Sequence, residues 1–144
     1  WEPLASKHAP PNGYAGKFST PYCIACGLID GKAGFEQFTD ERVKDNALRA
    51  LAAKVSYVID PKDEYPRNFT GHIRATLKDG SVKEVRKPHM RGGAHEPLTR
   101  DEILTKFHDN ARFGGWPRSR AEDLARAIET IAKGGAVDLR CARE

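Results

Sequence analysis

The sequence has no long hydrophobic run and only a thin excess of charge. Its longest apolar stretch, Tyr22–Ile29, has eight residues including a glycine, whereas a membrane-spanning helix needs about 20 apolar residues. The 24 basic and 20 acidic residues leave a net charge of +4, and acidic residues interrupt the basic segments. Nucleic-acid-binding surfaces carry a stripe of positive charge, for which residues 83–91 are the nearest candidate. We expect neither a membrane nor a nucleic acid as partner.

Cysteine is also scarce, with three residues in the chain. An odd number does not make a disulfide framework, and a reducing cytoplasm is the default location. Cys23 and Cys26 form a C-x-x-C pair near a predicted helix start, where the helix dipole can lower a thiol pKa. A thiol redox or metal module is therefore an alternative function. Packing is favoured, because a proline- and glycine-rich segment rather than a strand precedes the pair.

The histidine pattern excludes the familiar metal motifs. The five histidines have none of the spacings typical of a zinc site, so we expect no bound metal. His89 and His95 flank Arg91-Gly92-Gly93 in a polar segment, where glycine N–H groups and an arginine can converge on an anion. The alternative is a flexible surface loop.

Capping signals define the first confident helix. Ser19 or Thr20 can cap a helix with Pro21 in its first turn, and Gly31 suits its end, which predicts a helix over 20–30. The other predicted elements are an irregular lead-in (1–17), a second helix (39–54), a strand (55–59), a hairpin (69–77 with 81–87), a polar loop (88–97), two helices (99–113 and 119–133) and a short strand or turn (136–139).

Three local motifs support the second half of this order. The Asp79-Gly80 dipeptide between two strand patterns predicts a tight hairpin. Thr99 with Glu102, and Ser119 with Glu122, have capping-box spacing ahead of apolar stripes that we expect to be buried. Because helices and strands are segregated rather than alternating, the fold class is α+β: an antiparallel sheet with a central hairpin, covered by helices. The 144 residues fit one domain.

Tyr22 is a candidate functional residue. It lies at the start of the predicted helix, five residues after Lys17. A tyrosine hydroxyl beside a helix N-terminus and a lysine can donate to a carboxylate or act as a general acid. The other interpretation is a half-buried aromatic side chain.

Several segments together resemble the MmgE/PrpD family, which includes 2-methylcitrate dehydratase, cis-aconitate decarboxylase and iminodisuccinate epimerase. They are Lys17–Gly31, Phe38–Glu41, Leu77–Gly80 and Arg91–Phe107, and the resemblance extends over residues 10–133. It corresponds to the family's second, smaller α+β domain, which sits as a lid on a large helical domain. The resemblance implies that this chain is a fragment of a larger enzyme whose helical N-terminal domain is absent.

The resemblance also implies a chemistry. Family members remove a proton next to a carboxylate in small di- or tricarboxylic acids, without a cofactor, and the outcome is dehydration, decarboxylation or epimerisation. Tyr22 matches a family tyrosine and is expected to be a proton donor or a substrate hydrogen-bonding residue. Lys17, Ser19 and Arg91 are expected to bind the substrate. The family base lies outside this fragment, so the isolated chain is expected to be inactive, and a homodimer is implied for the whole enzyme.

Overall fold

The computed structural model describes residues 3–137 and residue 140. The chain divides into two compact units, Trp1–Val58 and Ile59–Glu144, called here the first and second unit. The single domain expected for residues 1–144 stays a prediction. Among the described residues, no helix is both long enough and apolar enough to cross a membrane.

The first unit is helical. Its elements are α1 (Leu4–His8), α2 (Gly13–Gly16), α3 (Thr20–Asp30), 3-10 turns at Phe35–Phe38 and Arg42–Lys44, and α4 (Asn46–Ala52). The prediction for α3 is confirmed: the Ser19 side chain accepts a hydrogen bond from the Tyr22 N–H, and Gly31 ends the helix with φ 69°. Only glycine adopts such a left-handed conformation without a steric cost.

Two predictions in this unit were wrong. The lead-in contains α1 and α2 and lies against α3, rather than being irregular throughout. The second helix begins at Asn46, because the Asp45 side chain accepts hydrogen bonds from the Ala47 and Leu48 N–H groups. The Thr39 side chain instead accepts from the Arg42 N–H at 3.1 Å, just ahead of the 3-10 turn at Arg42–Lys44. A threonine can cap a single turn as readily as a long helix.

The core of the first unit is small and closely packed. Its buried members are Tyr22, Ala25, Cys26, Val43, Leu48 and Ala52, with Phe38 and Leu51 packed against them. Gly13 lies so close to the Phe35–Phe38 turn that a Cβ added to it would stand 1.9 Å from the Phe38 carbonyl oxygen. The Gly13 N–H also donates to the Asp40 side chain at 2.8 Å. The lead-in is therefore held against the turns that follow α3.

The strand predicted at 55–59 is not formed. These residues are irregular, and Val58 and Ile59 are 92% and 69% exposed. Within the described part of the chain, the strand ladder pairs only β1 (Gly71–Thr76) with β2 (Val82–Lys87). Strand propensity depends on a neighbouring strand and a covered face. Composition alone therefore overestimated the tendency of residues 55–59 to form a strand.

The hairpin of the second unit is confirmed, slightly shorter than predicted. β1 and β2 are antiparallel, with Ile73 opposite Val85, and Gly80 turns the chain at φ 83°. Together with the helices it gives the expected α+β class. All residues of β1 and β2 except Ala75 are exposed, so the described helices of the second unit leave most of the hairpin open. Without a covering helix, the alternating apolar side chains of a strand face solvent on both sides of the sheet.

Two helices follow, α5 (Arg100–Phe113) and α6 (Arg118–Ala132), and they contact each other. The capping box of Thr99 with Glu102 is confirmed. The second predicted box is wrong: α6 starts at Arg118, whose Nε donates to Glu122 at 2.7 Å, so this carboxylate does not close a box. The apolar stripes are only partly covered, and Ala121 is the one buried residue of the two helices. Residues 136–137 are irregular, and 138–139 lie outside the described residues.

Candidate functional site around the start of helix α3

Tyr22 is a core residue of the first unit. Its side chain has no exposed surface, its ring lies 6.0 Å from that of Phe38, and its hydroxyl donates to the Gln37 carbonyl oxygen at 2.5 Å. The hydroxyl proton is thus committed to a backbone acceptor. In this arrangement Tyr22 joins α3 to the Phe35–Phe38 turn, and the catalytic role expected of it stays a prediction.

The surroundings of Tyr22 keep its hydroxyl neutral. Burial raises the pKa of the Tyr22 phenol well above its usual value, and a hydrogen bond with the Cys26 side chain raises it further. The Arg42 guanidinium opposes this shift, because a nearby positive charge favours the phenolate. The phenol therefore keeps its proton further into alkaline solution than an exposed tyrosine does.

Ser19 uses both hydrogen-bonding capacities of its hydroxyl inside the protein. The residue is buried, its Oγ donates to the Lys7 carbonyl oxygen, and it accepts from the Tyr22 N–H at 3.0 Å. The first contact connects α1 to α3, and the second caps α3. These contacts describe a structural residue, and the predicted contact with substrate stays a prediction.

Lys17 is an exposed cation three residues before the start of α3. Its Nζ lies 5.3 Å from the centre of the Phe35 ring, within the range of a cation–π contact. Tyr14 and Phe18, which flank Lys17 in the sequence, are exposed, and their rings pack edge to face with their centres 5.2 Å apart. The ammonium group therefore lies by the Phe35 ring at the surface, and the substrate contact expected of Lys17 stays a prediction.

A chain of polar contacts behind Tyr22 was missed from the sequence. The Gln37 side chain accepts from the Gly34 N–H at 3.0 Å and donates to Asp30 at 3.2 Å. Arg42 then bridges two carboxylates, with 2.7 Å contacts to Asp30 and to Asp45. The Asp45 end of this chain is the cap of α4. Only the Arg42–Asp45 spacing of three residues is a sequence signal; the contacts to Asp30 depend on how the turns fold back.

Arg91 lies in the second unit and is already paired. Its Nη2 contacts both carboxylate oxygens of Glu102, and its Nη1 lies 3.8 Å from Glu96. The hydrogen bond from Arg91, followed by those from Thr99, lowers the pKa of Glu102 to about 2. A substrate carboxylate would have to displace Glu102 from the guanidinium. The sequence spacing predicted Glu102 only as a helix-capping residue and did not predict its ion pair with Arg91.

The surroundings of the thiol pair disfavour the reactive thiolate form. Cys23 and Cys26 are free, with Cys26 buried, and burial raises the pKa of both thiols. A reactive cysteine needs the opposite shift. No cluster of three metal-ligating side chains occurs among the described residues. The rings of His89 and His95 stack, with their centres 4.5 Å apart and their planes at 28°.

The four predicted site residues thus divide between the units. Lys17, Ser19 and Tyr22 lie at the start of α3 in the first unit, and Arg91 lies in the second. Residues 2–131 match the model of the MmgE/PrpD C-terminal domain. The chain is 31% identical over 134 residues to a mitochondrial 2-methylcitrate dehydratase from Yarrowia lipolytica, with 86% of this chain and 25% of that protein covered. It therefore spans about a quarter of the length of this curated relative.

Proposed function

Because this chain belongs to the MmgE/PrpD family, we propose that it is the C-terminal domain of a lyase that dehydrates a small tricarboxylic acid of the 2-methylcitrate type. The observation that carries this proposal is the similarity to 2-methylcitrate dehydratase over 86% of the chain. Epimerisation, another outcome implied by the family, begins with the same removal of a proton next to a carboxylate, whereas decarboxylation breaks a carbon–carbon bond and a proton then replaces the departing carbon dioxide. The name of the relative favours dehydration among the three.

Different residues have different roles in the proposed reaction. Proton removal needs a base poised near neutral pH and positive charge that stabilises the enolate-like intermediate. We place the base outside this chain, in a helical N-terminal domain of the same enzyme, which acts without a cofactor and as a homodimer. Lys17 supplies a cation for a substrate carboxylate. A carboxylate would bind Arg91 only by replacing Glu102 on its guanidinium.

We assign Tyr22 and Ser19 a positioning role in this enzyme. The Tyr22 hydroxyl reaches a substrate only by leaving the Gln37 carbonyl oxygen, 2.5 Å away, and Ser19 holds the start of α3 through two internal hydrogen bonds. Both therefore set the direction in which α3 and Lys17 leave the core. The named relative is mitochondrial, whereas the cytoplasmic location expected for this chain stays a prediction.

The test compares the complete polypeptide translated from the reading frame that contains residues 1–144 with the isolated chain. We expect the complete polypeptide to dehydrate 2-methylcitrate, followed by the ultraviolet absorbance of the unsaturated product, and the isolated chain to be inactive. cis-Aconitate and iminodisuccinate serve as the substrates of the alternative reactions. Turnover by the isolated chain, or no turnover of any of the three acids by the complete polypeptide, would refute the proposal.

Lys17 has a matched control. Lys17→Gln removes the exposed charge at the start of α3, and we expect it to raise KM about tenfold, as one lost charge-assisted contact would, with kcat little changed. Lys44→Gln removes another exposed lysine of the same unit and is expected to leave both constants unchanged. Equal effects of the two substitutions would mean that Lys17 acts only through overall charge.

A further inference from the structure

The lead-in contains a chemically reactive pair of residues, Asn12 followed by Gly13. Asn12 is the only one of the four asparagines in the sequence that a glycine follows. In such a pair the backbone nitrogen of the glycine can attack the side-chain carbonyl carbon of the asparagine, because no side chain shields that nitrogen. A carbon–nitrogen bond forms, the side-chain amide leaves as ammonia, and a cyclic succinimide results. Water then opens the ring at either carbonyl, which leaves aspartate or isoaspartate.

The Gly13 nitrogen is held in a hydrogen bond in the folded chain. Its N–H donates to the Asp40 carboxylate at 2.8 Å, across 27 residues of sequence. The attack requires that this nitrogen give up its proton, and a nearby negative charge disfavours a step that creates another negative charge. The Asp40 carboxylate therefore keeps the nitrogen in its protonated, unreactive form.

Packing and a side-chain cap hold the same peptide group in place. Gly13 is buried, and the backbone of Phe38 and Thr39 lies directly against it. Asn12 has an extended backbone, with ψ 171°, and its side-chain oxygen accepts from the Ala15 N–H at 2.8 Å. Ring closure requires rotation about the Asn12 Cα–C bond, which would break this cap and move Gly13 against the turn. The succinimide therefore forms only when the lead-in opens locally.

We propose that Asn12 is a latent deamidation site and that Asp40 keeps it closed. This contact gives Asp40 a role other than the helix start predicted around it, since α4 begins at Asn46. Deamidation would weaken the contact that prevents it, because a carboxylate at position 12 lies next to the peptide group that Asp40 holds, and like charges repel. Isoaspartate would also lengthen the main chain beside Gly13, where the packing leaves no room. The inference is independent of the proposed function.

The test follows the tryptic peptide 8–17, which lies between Lys7 and the cleavage after Lys17, while the complete polypeptide is incubated in mildly alkaline buffer. Chromatography with mass spectrometry separates the amide from the two acid products. We expect a synthetic peptide of residues 8–17 to deamidate at least about tenfold faster than the same segment of the folded protein, because the peptide needs no local opening. Asp40→Ala should accelerate deamidation of the folded protein about tenfold, as the loss of one charge-assisted hydrogen bond predicts.

Two variants separate this contact from general effects of charge and unfolding. Glu41→Ala removes the neighbouring exposed acid and should keep the wild-type rate. Asp40→Asn keeps an acceptor oxygen without the charge and should give an intermediate rate with the amide exchange of α3 unchanged, which decides the case if Asp40→Ala unfolds the first unit. Equal rates in the peptide and the folded protein, a wild-type rate in Asp40→Asn, or equal effects of Asp40→Ala and Glu41→Ala would overturn the inference. Slower deamidation of Asp40→Ala would also overturn it, since the carboxylate would then assist the attack as a base.

Discussion

Replacing Tyr22 by phenylalanine tests whether this residue is structural or catalytic. The substitution removes one hydroxyl and leaves the ring against Phe38. It deprives the Gln37 carbonyl oxygen of a donor 2.5 Å away, in a residue that is only 6% exposed. Leaving a buried acceptor unsatisfied costs about 1–3 kcal/mol. The loss is partly offset because phenylalanine has no hydroxyl to desolvate.

The net expectation is a loss of about 1.5 kcal/mol in the free energy of unfolding, or roughly a tenfold larger unfolding constant. Urea unfolding of the chain, followed through the amide signals of α3, measures it. Tyr14→Phe is the control, because Tyr14 is 70% exposed and its hydroxyl lies outside the core. Such a surface change should stay within about 0.5 kcal/mol of wild type.

The pH dependence gives the same substitution a second signature. Burial raises the pKa of the Tyr22 phenol, so in alkaline solution the unfolded chain loses this proton first. The unfolded state then binds fewer protons than the folded state, and the free energy of unfolding falls as pH rises above about 10. The stabilisation is complete below that pH. Tyr22→Phe should flatten this part of the profile, whereas Tyr14→Phe should not.

Turnover by the complete polypeptide decides between the two roles. A positioning residue predicts that Tyr22→Phe keeps kcat within a few-fold of wild type wherever the enzyme is folded. A general acid contributes about 100-fold or more. The structural reasoning is refuted if kcat falls by that factor while the urea midpoint is unchanged, or if the variant is as stable as wild type.

Three further predictions concern backbone space, acid stability and the thiols. Gly13→Ala should destabilise the first unit by about 2 kcal/mol or more, since its Cβ would stand 1.9 Å from a backbone carbonyl oxygen. Gly27→Ala, in open space within α3, should stabilise it by about 0.5–1 kcal/mol. The two substitutions should therefore shift the urea midpoint in opposite directions, and shifts in the same direction would contradict the prediction. The pKa of Glu102 is lowered to about 2, so the first turn of α5 should lose order as pH falls from about 4 towards 2, and Glu102→Gln should reduce that transition in amide chemical shifts. Cys23→Ala with Cys26→Ala should leave turnover and its sensitivity to disulfide reagents unchanged, because burial raises both thiol pKa values; a loss of sensitivity would revive the redox alternative.

The elements that could be predicted from the sequence are those fixed by neighbouring residues. Ser19 caps α3 through the N–H three residues on, and the Asp79-Gly80 turn closes the hairpin through a left-handed glycine. The Thr99 capping box likewise acts within four residues. Each signal identifies both the donor and the acceptor, so no tertiary contact is needed to interpret it.

The sequence-based predictions failed where a contact with a residue distant in sequence determines the structure. Residues 55–59 have strand composition, but a strand forms only beside another strand, and the ladder of the described residues joins β1 to β2. The start of α4 depends on Asp45, which is held by Arg42, which in turn reaches back to Asp30. The sequence shows that Asp30, Arg42 and Asp45 are charged, but it does not show that they contact one another.

The same limit explains why the internal contacts of the predicted site residues could not be predicted from the sequence. Serine and tyrosine at a helix start suit a ligand because unpaired N–H groups lie there. In this protein those groups are already paired internally. The Ser19 hydroxyl accepts a hydrogen bond from the Tyr22 N–H, and the Tyr22 hydroxyl donates one to the Gln37 carbonyl oxygen. Arg91 is likewise taken by Glu102. Among the four predicted residues, Lys17 has its charge at the surface, beside the Phe35 ring and without a carboxylate contact in the described structure. Of the four, it is the one that can bind a substrate anion without first breaking an existing hydrogen bond.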